Sequence, residues 1–216
     1  MGAGVTPASS GRPDEAERDG LGTRDRILVA AATMLGEDPT ARLSVRGVAA
    51  RAGVSVGSLR HFFPTQRQLL DTVVAGLAAL ELPDDPLADR SRSASDRLLT
   101  ALQLVLAEVG AGEQARRHVS SLHAAYVASP PGEDAEHAFH ALERLSLGRI
   151  EGWLAGLREE GVALREGVDD VETAARFLLT VLNGLALERA LPGAPARVAG
   201  EEVALRIAVE AVLATG

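Results

Sequence analysis

The sequence predicts an all-α fold, and three observations support this prediction. Apolar residues recur at helical spacing along most of the chain. Aromatic residues make up only 3% of the 216 residues, whereas Ala, Leu, Glu and Arg, all good helix formers, dominate the periodic segments. Ser, Thr or Asp precedes several of these segments and Gly or Pro follows them, as is usual at helix ends.

The composition excludes several classes of protein. The chain has no Cys, so it has no disulfide and no thiolate metal site. Its longest apolar stretch, residues 177–187, is shorter than the roughly 20 residues that a membrane helix needs. Residues 1–20 contain no apolar signal segment, and their Gly, Pro, Ser and acidic content predicts a disordered tail. We therefore expect a cytoplasmic protein without membrane contact.

Positive charge is concentrated near the N-terminus of an otherwise acidic chain. The whole chain carries a formal net charge of −8, but residues 21–67 carry seven Arg against three acids, a net charge of +4. A basic region on an acidic chain indicates an anionic partner for that region alone.

This basic region contains the pattern of two short helices joined by a glycine turn, after a first helix near residues 22–36. Ser44 is a good N-cap for the second helix, and Gly53 ends that helix where a positive φ is needed. Ser55 caps a third helix, which Pro64 stops. This spacing is typical of a helix-turn-helix, whose second helix lies in the major groove of double-stranded DNA.

The candidate DNA contacts follow from this placement. Val56 suits a thymine methyl group, and Arg60 suits guanine or a phosphate. Phe62 and Phe63 fit core positions, although Phe62 is also compatible with a place near the DNA backbone. A generic corner between two helices is the alternative for the spacing taken alone. The candidate DNA-binding residues are Ser44, Val45, Arg46, Ser55, Val56, Gly57, Ser58, Arg60, His61, Phe62, Thr65, Gln66 and Arg67.

A longer helical region follows. A fourth helix starts at Thr65, where Gln68 completes a capping box. Residues 83–92, rich in Pro and acids, predict a linker. We place the domain limits at 21–67 for the N-terminal three-helix helix-turn-helix domain and at 68–216 for a C-terminal helical domain. Further helices are predicted near residues 93–110, 113–128, 133–160, 169–190 and 200–214.

Several short motifs stand in the order and spacing of one known family. They are Thr-x-x-x-Ile-Leu-x-Ala-Ala at residues 23–31, Gly-Val-Ser-x-Gly-x-Leu at 53–59, Phe-Phe-Pro at 62–64 and Leu-Leu at 69–70. This stretch, about a quarter of the chain, resembles the DNA-binding domain of TetR-type transcriptional regulators. Three positions depart from the family pattern: Arg60 stands where Tyr is frequent, Gly47 where an acid is usual, and Gln66 where Lys is common.

The resemblance implies a homodimer on a palindromic operator, with a ligand-binding and dimerisation domain behind the DNA-binding domain. The implied function is a repressor released by a small, largely apolar effector, with no cofactor and no metal. The candidate pocket residues are Tyr126, Trp153, Phe177, Asn183 and His123. The candidate dimer residues, on the last two helices, are Leu178, Leu182, Leu185, Val203, Ile207 and Val209.

Two alternatives stay open beside this interpretation. Because Arg60 and Gln66 replace frequent family contacts, the chain could be a TetR-fold activator, or a ligand-binding or partner-binding protein with altered or lost DNA recognition. His137 and His140 have a spacing that would allow a shared metal ion, but scattered surface or core histidines are the more frequent explanation. No enzyme motif is present: the chain has no Gly-rich phosphate loop, nucleophile elbow or Cys nucleophile.

Overall fold

The computed structural model of the chain describes residues 22–37, 43–78, 85–128, 130 and 132–214. Within these residues the regular structure is helical, apart from one isolated β-bridge between Leu164 and Leu213. The helices are α1 (Thr23–Glu37), α2 (Val45–Ala52), α3 (Val56–Phe62), α4 (Gln66–Ala78), α5 (Ala94–Val109), α6 (Glu113–Tyr126), α7 (Glu133–Glu159), α8 (Val171–Ala190) and α9 (Ala194–Val212). The prediction of an all-α fold is confirmed.

The first four helices pack around a small core of their own. Ile27 of α1, Val48 of α2 and Leu59 of α3 are fully buried there, together with Leu69 of α4. Ala141, from the first half of α7, completes the same cluster. The predicted domain limit at residue 67 therefore falls inside this unit, because α4 supplies part of its core.

A larger core lies between α5, α7, α8 and α9. Its most deeply buried side chains include Leu102, Leu154, Leu178 and Leu205, one from each of these helices. Helix α6 packs mainly against α8, along the edge of this bundle. The long helix α7 contributes to both cores and so connects the two units.

A buried ion pair fixes the turn between α8 and α9. Arg189 donates from Nε and Nη2 to Glu201 at 2.7 and 2.6 Å, and both side chains are almost fully buried. Its Nη1 donates to the carbonyls of Leu106 and Gly110, at the end of α5. Because a buried charge must be paired and hydrogen-bonded, this cluster specifies how three helices meet.

The helix limits match the predictions closely except at the last helix. Helix α9 begins at Ala194 rather than near residue 200, because Gly193 takes a positive φ at the N-cap and Pro195 lies in the first turn. Proline is tolerated in a first turn, where its missing N–H has no helical acceptor. The predicted tail at 1–20 and the start of the predicted linker lie outside the described residues. None of the described helices is long and apolar enough to span a bilayer.

Candidate DNA interface and sensor surfaces

Local capping builds the two short helices of the helix-turn-helix. The Ser44 hydroxyl accepts from the backbone N–H of Gly47 at 3.0 Å, so the cap forms although position 47 carries no acid. Gly53 has φ of +65° and donates back to the carbonyls of Ala49 and Ala50. This left-handed ending suits glycine, which has no Cβ to clash.

Helix α3 presents a polar face to solvent. The Ser55 hydroxyl accepts from the backbone N–H of Ser58 at 3.0 Å and so caps the helix. Only Leu59 of this helix is buried. The exposed or half-exposed side of the helix consists of Val56, Gly57, Ser58, Arg60, His61 and Phe62.

The two neighbouring phenylalanines have different environments. Phe63 is buried in the small core, whereas Phe62 is 37% exposed and its ring meets that of His61 edge-on at 5.2 Å. Phe62 therefore belongs to the exposed face of α3 rather than to the core.

The arginines around α3 divide into paired and free groups. Arg51 donates two hydrogen bonds of 2.5 Å to Glu37, which lower the pKa of that carboxyl and raise the pKa of the guanidinium. Arg46 and Arg60 are exposed, and neither forms an ion pair with another of the described residues. Their guanidinium groups are therefore available to an external anion.

Arg24 is a cation that the sequence had not marked as a candidate contact. Its guanidinium lies 5.7 Å from the centre of the Phe63 ring, so the start of α1 stands beside the end of α3. Arg24 lies in the basic region of the sequence, but its distance along the chain from Ser55 concealed this proximity.

The start of α4 follows α3 directly. The Thr65 hydroxyl accepts from the backbone N–H of Gln68 at 3.1 Å and caps the helix. Arg67, in the first turn, lies 3.4 Å from both Asp134 and Glu133 of α7. This candidate DNA contact therefore has partners within the chain.

The model of one protein family, described as bacterial regulatory proteins of the tetR family, matches residues 27–73. The match covers most of α1, all of α2 and α3, and most of α4, which make up the unit just described. Over this unit the chain is similar to the TetR family, and the predicted family resemblance is confirmed. The chain is a transcriptional regulator with a DNA-binding helix-turn-helix.

The chain is also similar to individual proteins. The HTH-type transcriptional regulator PksA of Bacillus subtilis is 29% identical over 159 residues, which are 68% of this chain and 69% of PksA. A TetR-family transcriptional regulator from Rhodococcus sp. aligns with a TM-score of 0.54 at 20% identity, over 89% of this chain and 98% of that structure. Reduced NemR of Escherichia coli aligns with a TM-score of 0.52 at 16% identity, over 90% of this chain and 98% of that structure. These structures share the fold of this chain.

The five candidate pocket residues lie in different surroundings. Phe177 and Asn183 are exposed on α8, and His123 is exposed on α6. Tyr126 is half-buried at the end of α6, where its ring meets that of Phe139 at 5.2 Å. Residue type alone does not tell which face of a helix points inward, so the sequence could not separate these surroundings.

Trp153 does line a cleft. The cleft has a volume of about 460 Å³ and lies between residues 85–90 and the end of α7. Its wall includes Leu87 and Ala88 as well as Gly152 and Gly156, whose missing side chains leave room beside the Trp153 ring. Acidic groups from Asp85, Glu159 and Glu160 surround the opening together with Arg90.

An ion pair anchors the wall of this cleft. Arg97 is buried and donates to Glu160 at 2.5 and 3.2 Å and to the carbonyl of Leu87 at 2.6 Å. These hydrogen bonds lower the pKa of the Glu160 carboxyl and raise that of the Arg97 guanidinium. Arg90 lies 3.3 Å from the same carboxylate. The segment that follows α4 is thereby held against the end of α7.

The candidate dimer residues differ in how exposed they are in the protomer. Leu178, Leu182 and Val209 are buried inside the protomer, so their side chains have no surface to give to a partner. Leu185 is half-buried, and only Val203 and Ile207 are well exposed.

The exposed apolar residues of α8 and α9 form a different set. Val203 and Ile207 are 62% and 61% exposed, and Phe177 and Leu187 are also exposed. Residues 203 and 207 are one helical turn apart and share one face of α9. We call these four residues the α8–α9 apolar face.

The predicted histidine pair has no metal-binding geometry. Among the described residues no group of three His, Asp or Glu side chains is placed to hold a metal ion. His137 Nε2 instead lies 3.1 Å from Asp71 Oδ1, and His140 lies 3.7 Å from Glu143.

Proposed function

We propose that the chain is a dimeric, sequence-specific repressor that releases its operator when a small ligand binds. The observation that supports this most is the exposed face of α3, which carries Arg60; like Arg46 on α2, Arg60 forms no ion pair with another of the described residues. A capped short helix with small and polar residues in its first turns fits the major groove.

The residues of α3 suggest how bases are read. Val56 meets a thymine methyl group, and Gly57 lets the backbone approach the base edges. Arg60 donates to guanine O6 and N7 or to a backbone phosphate, and its charge replaces the Tyr that is frequent in the family. Arg24, Arg46 and the start of α4 position the helix through phosphates.

Dimerisation provides a second α3 helix, which binds the other half of a palindromic operator. The α8–α9 apolar face is exposed in the protomer, and a second copy related by two-fold symmetry would cover it. Two α3 helices at a separation of about 34–36 Å read half-sites one helical turn apart.

The ligand site that we propose is the cleft beside Trp153. One wall of this cleft is the end of α7, whose first half packs against α4, so a bound molecule contacts a helix that reaches the DNA-binding unit. The Trp153 ring and Leu87 suit an apolar body. A ligand that prefers one dimer spacing over another changes DNA affinity by its coupling energy, typically about 1–3 kcal/mol.

An experiment with selected DNA tests whether α3 recognises the operator. A duplex enriched by the full-length chain from a random-sequence pool is labelled with fluorescein, and binding is followed by anisotropy. We expect Arg60→Ala to lose specific binding, whereas Arg116→Ala, which removes an exposed arginine on α6, leaves the binding curve unchanged. Equal curves for the wild type and Arg60→Ala would contradict the proposal.

The single Trp of the chain tests the ligand site. Small apolar compounds that release the duplex should also change the intrinsic fluorescence of Trp153. A compound that releases DNA while Trp153 emission stays constant would place the effector elsewhere.

The second candidate function assumes the same fold but a different role from repression. Arg60 and Gln66 depart from frequent family contacts, so activation, or binding of a ligand or partner without DNA recognition, is the alternative. A transcription assay with the enriched duplex upstream of a reporter separates these outcomes. Repression supports the proposal, activation supports the first alternative, and no specific duplex supports the second.

A further inference from the structure

Arg67 lies where the DNA-binding unit meets helix α7. Its Nε is 3.4 Å from Asp134 Oδ1, and its Nη2 is 3.4 Å from Glu133 Oε2. Asp71 lies one helical turn further along α4, and its Oδ1 is 3.1 Å from His137 Nε2, one turn further along α7. The two helices are therefore parallel here, and their N-termini lie at the same end of the molecule.

That shared end is the DNA-facing end of the proposed repressor. Arg67 stands five residues after Phe62, the last residue of α3, in the first turn of the helix that Thr65 caps. A guanidinium at this place can reach a phosphate that flanks the bases read by α3. The same group donates equally well to carboxylates, because both anions accept its planar fork of N–H groups.

We propose that Glu133 and Asp134 compete with the operator phosphate for Arg67, so that the start of α7 restrains DNA affinity. This inference rests on the proposed DNA-binding function. The free protein holds Arg67 on the two carboxylates, and DNA binding transfers the guanidinium to a phosphate. Helix α7 thereby influences the DNA contact without itself touching a base.

The geometry favours such an exchange. Both contacts are 3.4 Å long, and the Glu133 and Asp134 side chains are 92% and 70% exposed, so water can replace Arg67 at little cost. The helices need not separate, because apolar contacts lie beneath the ion pairs. Leu70 and Val74 of α4 and Ala141 of α7 share the small core.

The position of α7 sets how strongly the competition acts. Helix α7 continues to Glu159 and Glu160 at the cleft beside Trp153, so a shift of this helix along α4 changes the distance between its acids and Arg67. A ligand in the cleft therefore has a physical route to one DNA contact.

A second role for the same acids must be separated from this one. Glu133, Asp134 and Glu136 all lie in the first turn of α7, where negative charge stabilises a helix through its dipole. Glu136→Gln removes a charge from the same turn but leaves both Arg67 contacts in place. It is the matched control for general repulsion of DNA and for loss of helix stability.

The test is a double-mutant cycle on the enriched, fluorescein-labelled duplex at about 50 mM salt, where phosphate contacts are strong. We expect Glu133→Gln with Asp134→Asn to bind about two- to five-fold more tightly than Glu136→Gln, the range that follows from breaking an exposed ion pair. Arg67→Gln should bind more weakly and lower the slope of log Kd against log salt by about one. In the Arg67→Gln background the two acid substitutions should give no advantage over Glu136→Gln.

Two results would overturn the inference while leaving the repressor intact. One is that the Glu133→Gln, Asp134→Asn variant binds DNA no more tightly than Glu136→Gln does. The other is that this variant tightens DNA binding equally with Arg67 present and with Arg67→Gln. If the wild type selects no specific duplex, the proposed function itself fails, and this inference fails with it. Glu133→Gln alone carries the same comparison if the double variant does not fold, and circular dichroism checks the fold of each variant.

Discussion

The α8–α9 apolar face provides a sharp test of dimerisation. Val203 is 62% exposed in the middle of this face, and the buried Leu205 lies two residues away on the other side of α9. Substitution of Val203 by Asp puts a carboxylate on the face while the protomer core stays unchanged. The variant should therefore fold but associate more weakly.

The magnitude follows from the exposed fraction. Full burial of a valine side chain is worth about 1.5–3 kcal/mol, so covering the exposed part of Val203 contributes about 1 kcal/mol or more. In a two-fold symmetric interface the substitution occurs twice, which gives about 2 kcal/mol. Because each 1.4 kcal/mol is a factor of ten, the dissociation constant of the dimer should rise by about 30-fold at least, and desolvation of the carboxylates adds to this.

Sedimentation velocity over a concentration series measures this dissociation constant. Val29→Asp is the matched control, because Val29 is 45% exposed on α1, in the DNA-binding unit, and belongs to neither α8 nor α9. The reasoning is refuted if Val203→Asp associates as tightly as the wild type, or if Val29→Asp weakens association to the same degree.

Three further predictions concern stability. Ser55→Ala should cost about 1 kcal/mol by removing the N-cap of α3, as measured by urea unfolding, and Ser120→Ala on the exposed side of α6 should cost nothing. Leu154→Ala should cost about 2–5 kcal/mol and lower the melting temperature, because Leu154 is fully buried in the large core; a loss below 1 kcal/mol would mean that this core is loosely packed. Glu160, whose pKa Arg97 holds below its ordinary value of 4.5, should stabilise the fold above that pH and lose this contribution as the pH falls below it. In urea titrations Glu160→Gln should have a lower free energy of unfolding than the wild type at pH 7, and this difference should shrink in acid. A difference that stays constant with pH would exclude ionisation of Glu160 as the source of the stabilisation.

Helix limits near the N-terminus could be predicted because their causes are local. Ser44 and Ser55 each cap a helix through an N–H only three residues away, and Gly53 ends α2 through its own backbone conformation. Such signals need no knowledge of the rest of the chain.

The orientation of α8 and α9 could not be predicted in the same way. The second half of helix α8 is largely apolar, so its sequence alone does not tell that Leu178 and Leu182 point inward while Phe177 and Leu187 point outward. That choice depends on packing against α7 and α9. The candidate dimer residues therefore include both inward-facing and outward-facing side chains.

Contacts between distant parts of the chain were also hidden. Arg67 and its partners Glu133 and Asp134 are 66 and 67 residues apart. Ala141 joins the core of a unit that otherwise ends with α4. Neither contact leaves a pattern within one window of sequence, so the domain limit and the second role of Arg67 both required the three-dimensional arrangement.

The number of protomers on one operator tests the central claim most directly. Light scattering on the purified complex with the enriched duplex gives its mass. Our account requires two protomers on one palindromic duplex, with half-sites about one helical turn apart, and weaker binding by Val203→Asp in proportion to its loss of dimer. A complex of one protomer that binds with full affinity and specificity would contradict it.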